Sequence, residues 1–131
     1  RGATGRGDDK FQTVLNHLLM QPGVCDHGRQ SAATVAREMR RANVLFYVTG
    51  SRQEIDCIPV KEGAACGCTP VISATGVFAE RDGVRVEGDP TDEATLQAAA
   101  ETVLALMRGE TTWAPEAPPV GWAETAAAWE V

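Results

Sequence analysis

The amino-acid sequence predicts an α/β domain of three layers, a parallel β-sheet with helices on both faces. Short apolar runs of strand length alternate along the chain with segments whose apolar residues recur at helical spacing. Such alternation is typical of parallel sheets built with right-handed crossovers. The run NVLFYV at 43–48 shows no polar alternation, which indicates a strand covered on both faces. The 131 residues suffice for one such domain with its own core.

The first third of the chain predicts an arm, two helices and a short strand. Residues 1–9, rich in Gly and Arg, are expected to form a flexible arm. Asp8 or Asp9 can cap the first helix. The apolar residues of this helix share one face: Phe11, Val14, Leu15, Leu18 and Leu19. Residues 24–27 predict a strand, and Ser31 can cap the second helix.

The rest of the chain predicts more strands and helices and then a separate tail. Strands are expected at 44–48, 70–73 and 83–88, and helices at 59–66 and 89–109. The second of these helices is expected to face the core through Leu96, Ala100, Val103 and Met107. The Pro-rich segment 110–121 predicts a linker and 122–131 a C-terminal helix. The ligand-binding domain is therefore expected at 10–109.

Charge and cysteine content exclude several classes of function. A net charge of −6 argues against a protein that binds nucleic acid or an anionic membrane. No apolar run approaches the roughly 18 residues of a membrane span, and the first ten residues do not resemble a signal peptide. The four cysteines form no C-x2-C pair: Cys25, Cys57, Cys66 and Cys68. We therefore expect a cytoplasmic protein with free thiols, without a metal site or a cofactor.

A candidate ligand site follows the predicted strand at 44–48. Ligands of open α/β sheets bind at the carboxyl ends of the strands, and the loop here leads into the helix that begins near Pro59. The free N–H groups of a helix N-terminus favour an anion such as a diphosphate. Glu62 lies about one turn into this helix, and an ionised carboxylate can accept hydrogen bonds from a vicinal diol. The Glu-x7-Glu spacing of Glu54 and Glu62 occurs three times in the chain, so the spacing alone does not indicate a site. The prediction depends on the position of this pair between a strand and the start of a helix.

The segment GSRQEIDCIPVKEGAACGCTPVISATGVFAERDGVRVEGDP, at 50–90, resembles the donor-binding half of retaining GT-B glycosyltransferases of family 4. Glu54 and Glu62 match the two glutamates of the family signature, Pro59 its proline and Gly67 its glycine. The resemblance extends from about residue 24 to the C-terminus. It implies a Rossmann-like fold, a partial GT-B C-terminal domain, and an enzyme that transfers a sugar from a UDP-, GDP- or ADP-linked donor with retention of configuration.

The resemblance also implies roles for individual residues. Glu54 is expected to contact the transferred sugar near the leaving diphosphate, as the catalytic residue, and Glu62 to bind the ribose hydroxyls. The backbone of the loop between them is expected to bind the diphosphate and sugar, through Ile55, Asp56, Cys57 and Ile58. Gly28 and Arg29 would flank the nucleotide base. No metal is implied.

The sequence departs from the family pattern in three respects. Asp56 places a third carboxylate next to the expected diphosphate, which should weaken binding unless it points to solvent. Cys68-Thr69 adds one residue before Pro70. The N-terminal acceptor domain and the Arg/Lys pair that neutralises the diphosphate are missing, so we expect a truncated donor domain that is inactive alone. The strand at 24–27 would then re-pair within the chain or across a dimer.

Two alternatives to an enzyme remain open at this point. One is a non-catalytic module that binds a nucleotide or a sugar nucleotide. The other is an α/β association domain, with a homodimer formed through an exposed strand edge or through the tail that carries Trp113, Trp122 and Trp129.

Overall fold

The computed structural model describes residues 5–50, 54–115 and 121. Its helices and strands are α1 (Gly5–Leu19), α2 (Ala32–Arg41), β1 (Val44–Tyr47), α3 (Ile58–Ala65), β2 (Thr69–Ser73), β3 (Val84–Val86) and α4 (Glu93–Met107). A 3₁₀ helix at Gly76–Glu80 lies between β2 and β3. The chain divides into two compact units, one ending at Ser31 and one beginning at Ala32. All three strands belong to the second unit.

The three strands form one parallel sheet in the order β1-β2-β3. β2 is the central strand: its Ile72 pairs with Tyr47 of β1, and its Val71 pairs with Val84 of β3. Consecutive parallel strands require crossover connections, which α3 provides between β1 and β2. The predicted α/β class with a parallel sheet is therefore confirmed.

Two apolar clusters make up the core of the second unit, and they lie on opposite faces of the sheet because successive strand residues point in opposite directions. Ile72 belongs to the cluster that contains Val60 of α3 and Phe78. Its neighbour Val71 belongs to the cluster that contains Ala99 of α4. Burial on both sides explains why the strand sequences lack polar alternation.

Gly63 allows α3 to lie close to β1. A β-carbon at this position would lie 2.6 Å from Leu45 Cδ2 and 3.3 Å from Leu45 Cβ, and the first distance is shorter than a van der Waals contact. Gly63 is buried, as is Val60 on the same helix. The close packing fixes the N-terminus of α3 relative to the carboxyl end of β1.

The predicted strand at 24–27 is wrong, because these residues form no strand in the structure. Instead, the side chain of Asp26 accepts a hydrogen bond of 2.8 Å from the backbone N–H of Gly28, whose φ is +57°. Such a local side-chain-to-backbone bond competes with strand pairing. The apolar face expected for α1 is also largely uncovered, since Phe11 is 69% exposed and Val14 58%.

Of the expected inner face of α4, Val103 packs against the core as predicted, but the other positions are displaced by one residue. Leu96 and Met107 are 47% and 61% exposed. The buried residues of α4 are Thr95 and Ala99, and Val103 and Leu106 pack beside them. Both sets recur at helical spacing in an alanine-rich helix, so periodicity did not distinguish them.

Several predicted boundaries shift slightly, and others lie outside the described residues. α1 begins at Gly5 and α3 at Ile58, one residue before Pro59, while Gly67 has the left-handed φ of +93° expected of a helix-ending glycine. The predicted C-terminal helix with Trp122 and Trp129 lies outside the described residues, as do 1–4 of the arm and 116–120 of the linker.

Replacement of Gly63 tests the close packing of α3. Ala is normally preferred to Gly within a helix, but here the added methyl group meets Leu45. We expect Gly63→Ala to lower the free energy of unfolding by about 1 kcal/mol, as in overpacked cores. Chemical denaturation measures this change. Glu62→Ala on the same helix is the control. Because the Glu62 side chain is exposed, its replacement should lower the free energy of unfolding by less than about 0.5 kcal/mol. Equal stability of Gly63→Ala and wild type would contradict the packing argument.

Candidate functional site

The carboxyl end of β1 and the N-terminus of α3 bring together the polar side chains of the predicted site. The N-cap of α3 is Cys57, whose φ of +47° and ψ of 64° place a residue other than glycine in the left-handed region. Residues of this kind are strained, and they cluster at functional sites. The Cys57 side chain is 1% exposed, so packing holds the residue in this conformation.

Glu54 fixes the entry to α3. Its Oε1 accepts a hydrogen bond of 3.0 Å from the backbone N–H of Cys57. One of the donors at the helix N-terminus is therefore satisfied by a carboxylate, which also interacts favourably with the helix dipole. The carboxylate of Glu54 is thus engaged by the protein itself, and the role that the resemblance implies for it stays a prediction.

Asp56 bridges two cationic side chains. Lys61 Nζ and Arg81 Nη2 each lie 2.5 Å from Asp56 Oδ1, and Arg81 Nε donates to the backbone carbonyl of Asp56 at 3.3 Å. The hydrogen bond from Lys61 is the main reason that the pKa of Asp56 is lowered, and Arg81 adds to it. Asp56 is therefore paired with two cations although its side chain is 48% exposed, and its expected effect on a bound diphosphate stays a prediction.

Tyr47 is partly buried and Cys57 is buried, and both belong to the apolar side of the site. Tyr47 ends β1, and its ring lies 5.8 Å from that of Phe78. Its pKa is raised, mainly by the neighbouring Cys57 and then by burial and by the charge of Glu54. Burial raises the pKa of the Cys57 thiol. A neutral, buried thiol is a poor nucleophile, so Cys57 contributes packing rather than covalent chemistry.

Ser73 connects the carboxyl ends of β1 and β2. Its hydroxyl donates to the backbone carbonyl of Thr49 and accepts from the Thr49 N–H, both at 2.8 Å. Ser73 is 1% exposed. The two hydrogen bonds of this buried hydroxyl hold the segment after β1 against the central strand. They therefore stabilise the edge of the sheet at which the candidate site lies.

The remaining predicted site residues differ in position and exposure. Ile55 and Ile58 are 88% and 59% exposed, so the loop is accessible to a ligand. Glu62 is the fifth residue of α3 and is exposed, and its carboxylate makes no hydrogen bond or ion pair with another described residue. Gly28 and Arg29 belong to the first unit, so their assignment to a nucleotide base stays a prediction.

Sequence reasoning missed Lys61, Arg81, Tyr47 and Ser73. Ser73 carries a usable signal, since it is a polar residue at the end of an apolar strand. Lys61 lies between the two signature glutamates and looks like an ordinary exposed helix residue. Arg81 lies 25 residues after Asp56, and no spacing rule links an arginine beyond the next strand to that loop.

Three comparisons, with models of protein families, with curated proteins and with solved structures, each found no significant match. Within the described residues, no helix is long and apolar enough to cross a membrane. The described residues also contain no group of three or more His, Cys, Asp or Glu side chains that could hold a metal ion.

The ion pairs of Asp56 predict a pH dependence of stability. The pKa of Asp56 is lower in the folded protein than its ordinary value of 3.8. Its contribution should therefore be fully present above about pH 4 and lost as the pH falls through the lowered pKa. We expect wild type to unfold at a higher temperature than Asp56→Asn at about pH 6, and the difference to be smaller at about pH 3.

Thermal unfolding followed by circular dichroism measures both variants. Asp82→Asn is the control, because Asp82 is exposed and makes no ion pair with a described residue. A difference between wild type and Asp56→Asn that is the same at both pH values would contradict the assignment.

Proposed function

We propose that the chain binds a nucleotide-sugar donor and is the donor-binding domain of a retaining glycosyltransferase with a three-layer, Rossmann-like architecture. One observation carries the proposal: Glu54, the strained N-cap Cys57 and the N-terminus of α3 follow one another at the carboxyl end of a parallel strand, with Glu62 exposed one turn further. Diphosphates bind at helix N-termini that follow such strands.

The two glutamates suit different parts of such a donor. Glu54 is held in place by the N–H of Cys57, and a fixed carboxylate can position a sugar beside the diphosphate. Glu62 makes no side-chain bond within the described residues, so both of its oxygens are available to accept hydrogen bonds from the ribose diol. The exposed Ile55 and Ile58 leave the backbone between the glutamates open to a ligand.

Binding, rather than turnover, is the direct test for this chain. The resemblance implies a separate acceptor-binding domain, and we propose that the chain alone does not transfer sugar. A non-catalytic module would bind the donor in the same way, so binding supports both versions of the proposal. Assay of sugar transfer in the presence of an acceptor domain separates the two.

Calorimetric titration with UDP-, GDP- and ADP-sugars tests the role of Glu62. We expect one of these donors to bind, and Glu62→Ala to weaken its affinity by about tenfold, the usual effect of losing hydrogen bonds to a charged group. Glu101→Ala is the matched control, because Glu101 is an exposed glutamate on α4 that accepts only from Gln97, at 2.9 Å. No binding of any donor at millimolar concentration, or equal affinity of Glu62→Ala and wild type, would contradict the proposal.

Association of two chains through β1 is the second candidate function. β1 is an edge strand of the sheet formed by the described residues. Residues 43–50 carry no charge, so two copies can pair antiparallel without repulsion between like charges. Phe46 is 48% exposed, whereas the other edge strand, β3, is short and presents the exposed Arg85. Native sheets usually protect an edge with such charges.

Light scattering of the purified chain at increasing concentration tests this association. We expect a dimer in wild type and a monomer in Phe46→Lys, because the added charges would meet across the edge. Leu104→Lys is the control, since Leu104 is 45% exposed and belongs to α4, not to the strand edge. A wild-type monomer at all concentrations would rule out this candidate and leave the donor-binding proposal untouched.

A further inference from the structure

Lys61 and Arg81 place two positive charges against a single carboxylate oxygen at the N-terminus of α3. Both contact Asp56 Oδ1 at 2.5 Å. One carboxylate neutralises only one of the two cations, so Lys61, Arg81 and Asp56 together carry one net positive charge, with the carboxylate of Glu54 nearby at the N–H of Cys57. Within the described residues, Asp56 is the only acidic side chain that forms an ion pair with either cation.

Both cations retain donors that the protein does not use. A lysine ammonium has three N–H bonds and an arginine guanidinium has five. Within the described residues, Lys61 donates only to Asp56 Oδ1, and Arg81 uses Nε and Nη2 for Asp56 alone. The Lys61 side chain is 51% exposed and the Arg81 side chain 23%. A ligand can therefore reach these donors without any rearrangement of the core.

Stability accounts for only part of this arrangement. Exposed ion pairs contribute little to stability, and a second cation on the same oxygen adds repulsion between the cations. The position at the carboxyl edge of a parallel sheet is, in contrast, where α/β domains bind ligands. The backbone N–H of Ile58, the first residue of α3, also donates no hydrogen bond to a described residue, so a neutral donor lies in the same short stretch.

We propose that Lys61 and Arg81 bind a phosphate group, and that Asp56 occupies them in the ligand-free protein as a competing anion. The proposal rests on the proposed function in that it makes these two residues the cations that oppose the diphosphate of the donor. The phosphate site itself can be tested with a ligand that contains neither sugar nor base.

The probe is inorganic pyrophosphate, titrated into the ¹⁵N-labelled chain while the amide signals of Ile58 and Lys61 are followed by NMR. We expect Lys61→Gln to weaken pyrophosphate binding by about tenfold, because one close charge is lost. Asp56→Asn should strengthen it by about fivefold, because the substitution removes the competing charge but keeps an oxygen for Lys61 and Arg81. Raising the ionic strength should weaken binding to wild type.

Arg108→Gln is the matched control for the loss of a positive charge. Arg108 is also in an exposed ion pair, 3.8 Å from Glu110, and its replacement should leave pyrophosphate affinity unchanged. Arg81→Lys keeps the charge but loses the two-point contact with Asp56, and we expect an intermediate affinity. Thermal unfolding of each variant establishes that it is folded before affinities are compared.

Two results would overturn the inference: pyrophosphate affinity that does not change in Lys61→Gln, or affinity that is unchanged or lower in folded Asp56→Asn. The binding experiments distinguish failure of this inference from failure of the proposed function. If Glu62→Ala weakens the binding of a sugar nucleotide but Lys61→Gln does not, the proposed function stands and the phosphate site is wrong. If pyrophosphate binds through Lys61 and no sugar nucleotide binds, the phosphate site stands without the proposed function.

Discussion

The second unit depends on β2 being enclosed on every side. β2 is paired with β1 on one edge and with β3 on the other, and four consecutive residues, Pro70 to Ser73, are buried. Val71 and Ile72 are both 0% exposed and belong to opposite clusters of the core. The helices α3 and α4 therefore pack against a common strand, and the carboxyl end of that strand is where Ser73 fixes the segment that follows β1. A shift of β2 by one residue would exchange its two faces and move the whole site.

Strain at Cys57 is maintained by this packing. A left-handed conformation costs a residue other than glycine roughly 1–2 kcal/mol, yet the sequence supplies a cysteine here. Three contacts hold it: burial of the side chain, the hydrogen bond to Glu54, and a bond of 3.1 Å from the Val60 N–H to the Cys57 carbonyl. Glycine would relieve the strain but would remove a buried side chain from the cluster around Val60. The turn into α3 is therefore imposed by its surroundings, which is the situation in which strain points to a functional geometry.

Sequence patterns predicted those parts of the fold that burial determines. The uncharged run 43–48 and the segment before Ser73 indicated parallel strands, and β1 and β2 lie there, because a strand buried on both faces must be apolar throughout. Patterns failed where the same residue types suit two structures. The segment 24–27 has strand-like residues, but Asp26 forms a turn with Gly28. In α4, alanines lie on every side, so a neighbouring set of positions could be mistaken for the buried face.

The sequence predicted only those residues of the candidate site that lie close together in the chain. Glu54, Cys57 and Glu62 lie within a few residues of the start of α3, and the helix start itself places them. The contact between Asp56 and Arg81 depends on how the segment after β2 returns to the loop after β1, which no local pattern encodes. The sequence therefore showed the charge of Asp56 but not the two cations that pair with it.

The contact between Asp56 and Arg81 matters because of its charges. The chain as a whole is acidic, so at a distance it repels a diphosphate and slows the approach of any anionic ligand. Attraction must therefore come from charges close to the binding point, where solvent and salt screen them least. Under the proposal, Lys61, Arg81 and the N-terminus of α3 supply such charges, and the carboxylates of Asp56 and Glu54 oppose them. The exposed carboxylate of Glu62 lies next to Lys61 in the chain, so the surface offers a hydrogen-bond acceptor and positive charge side by side.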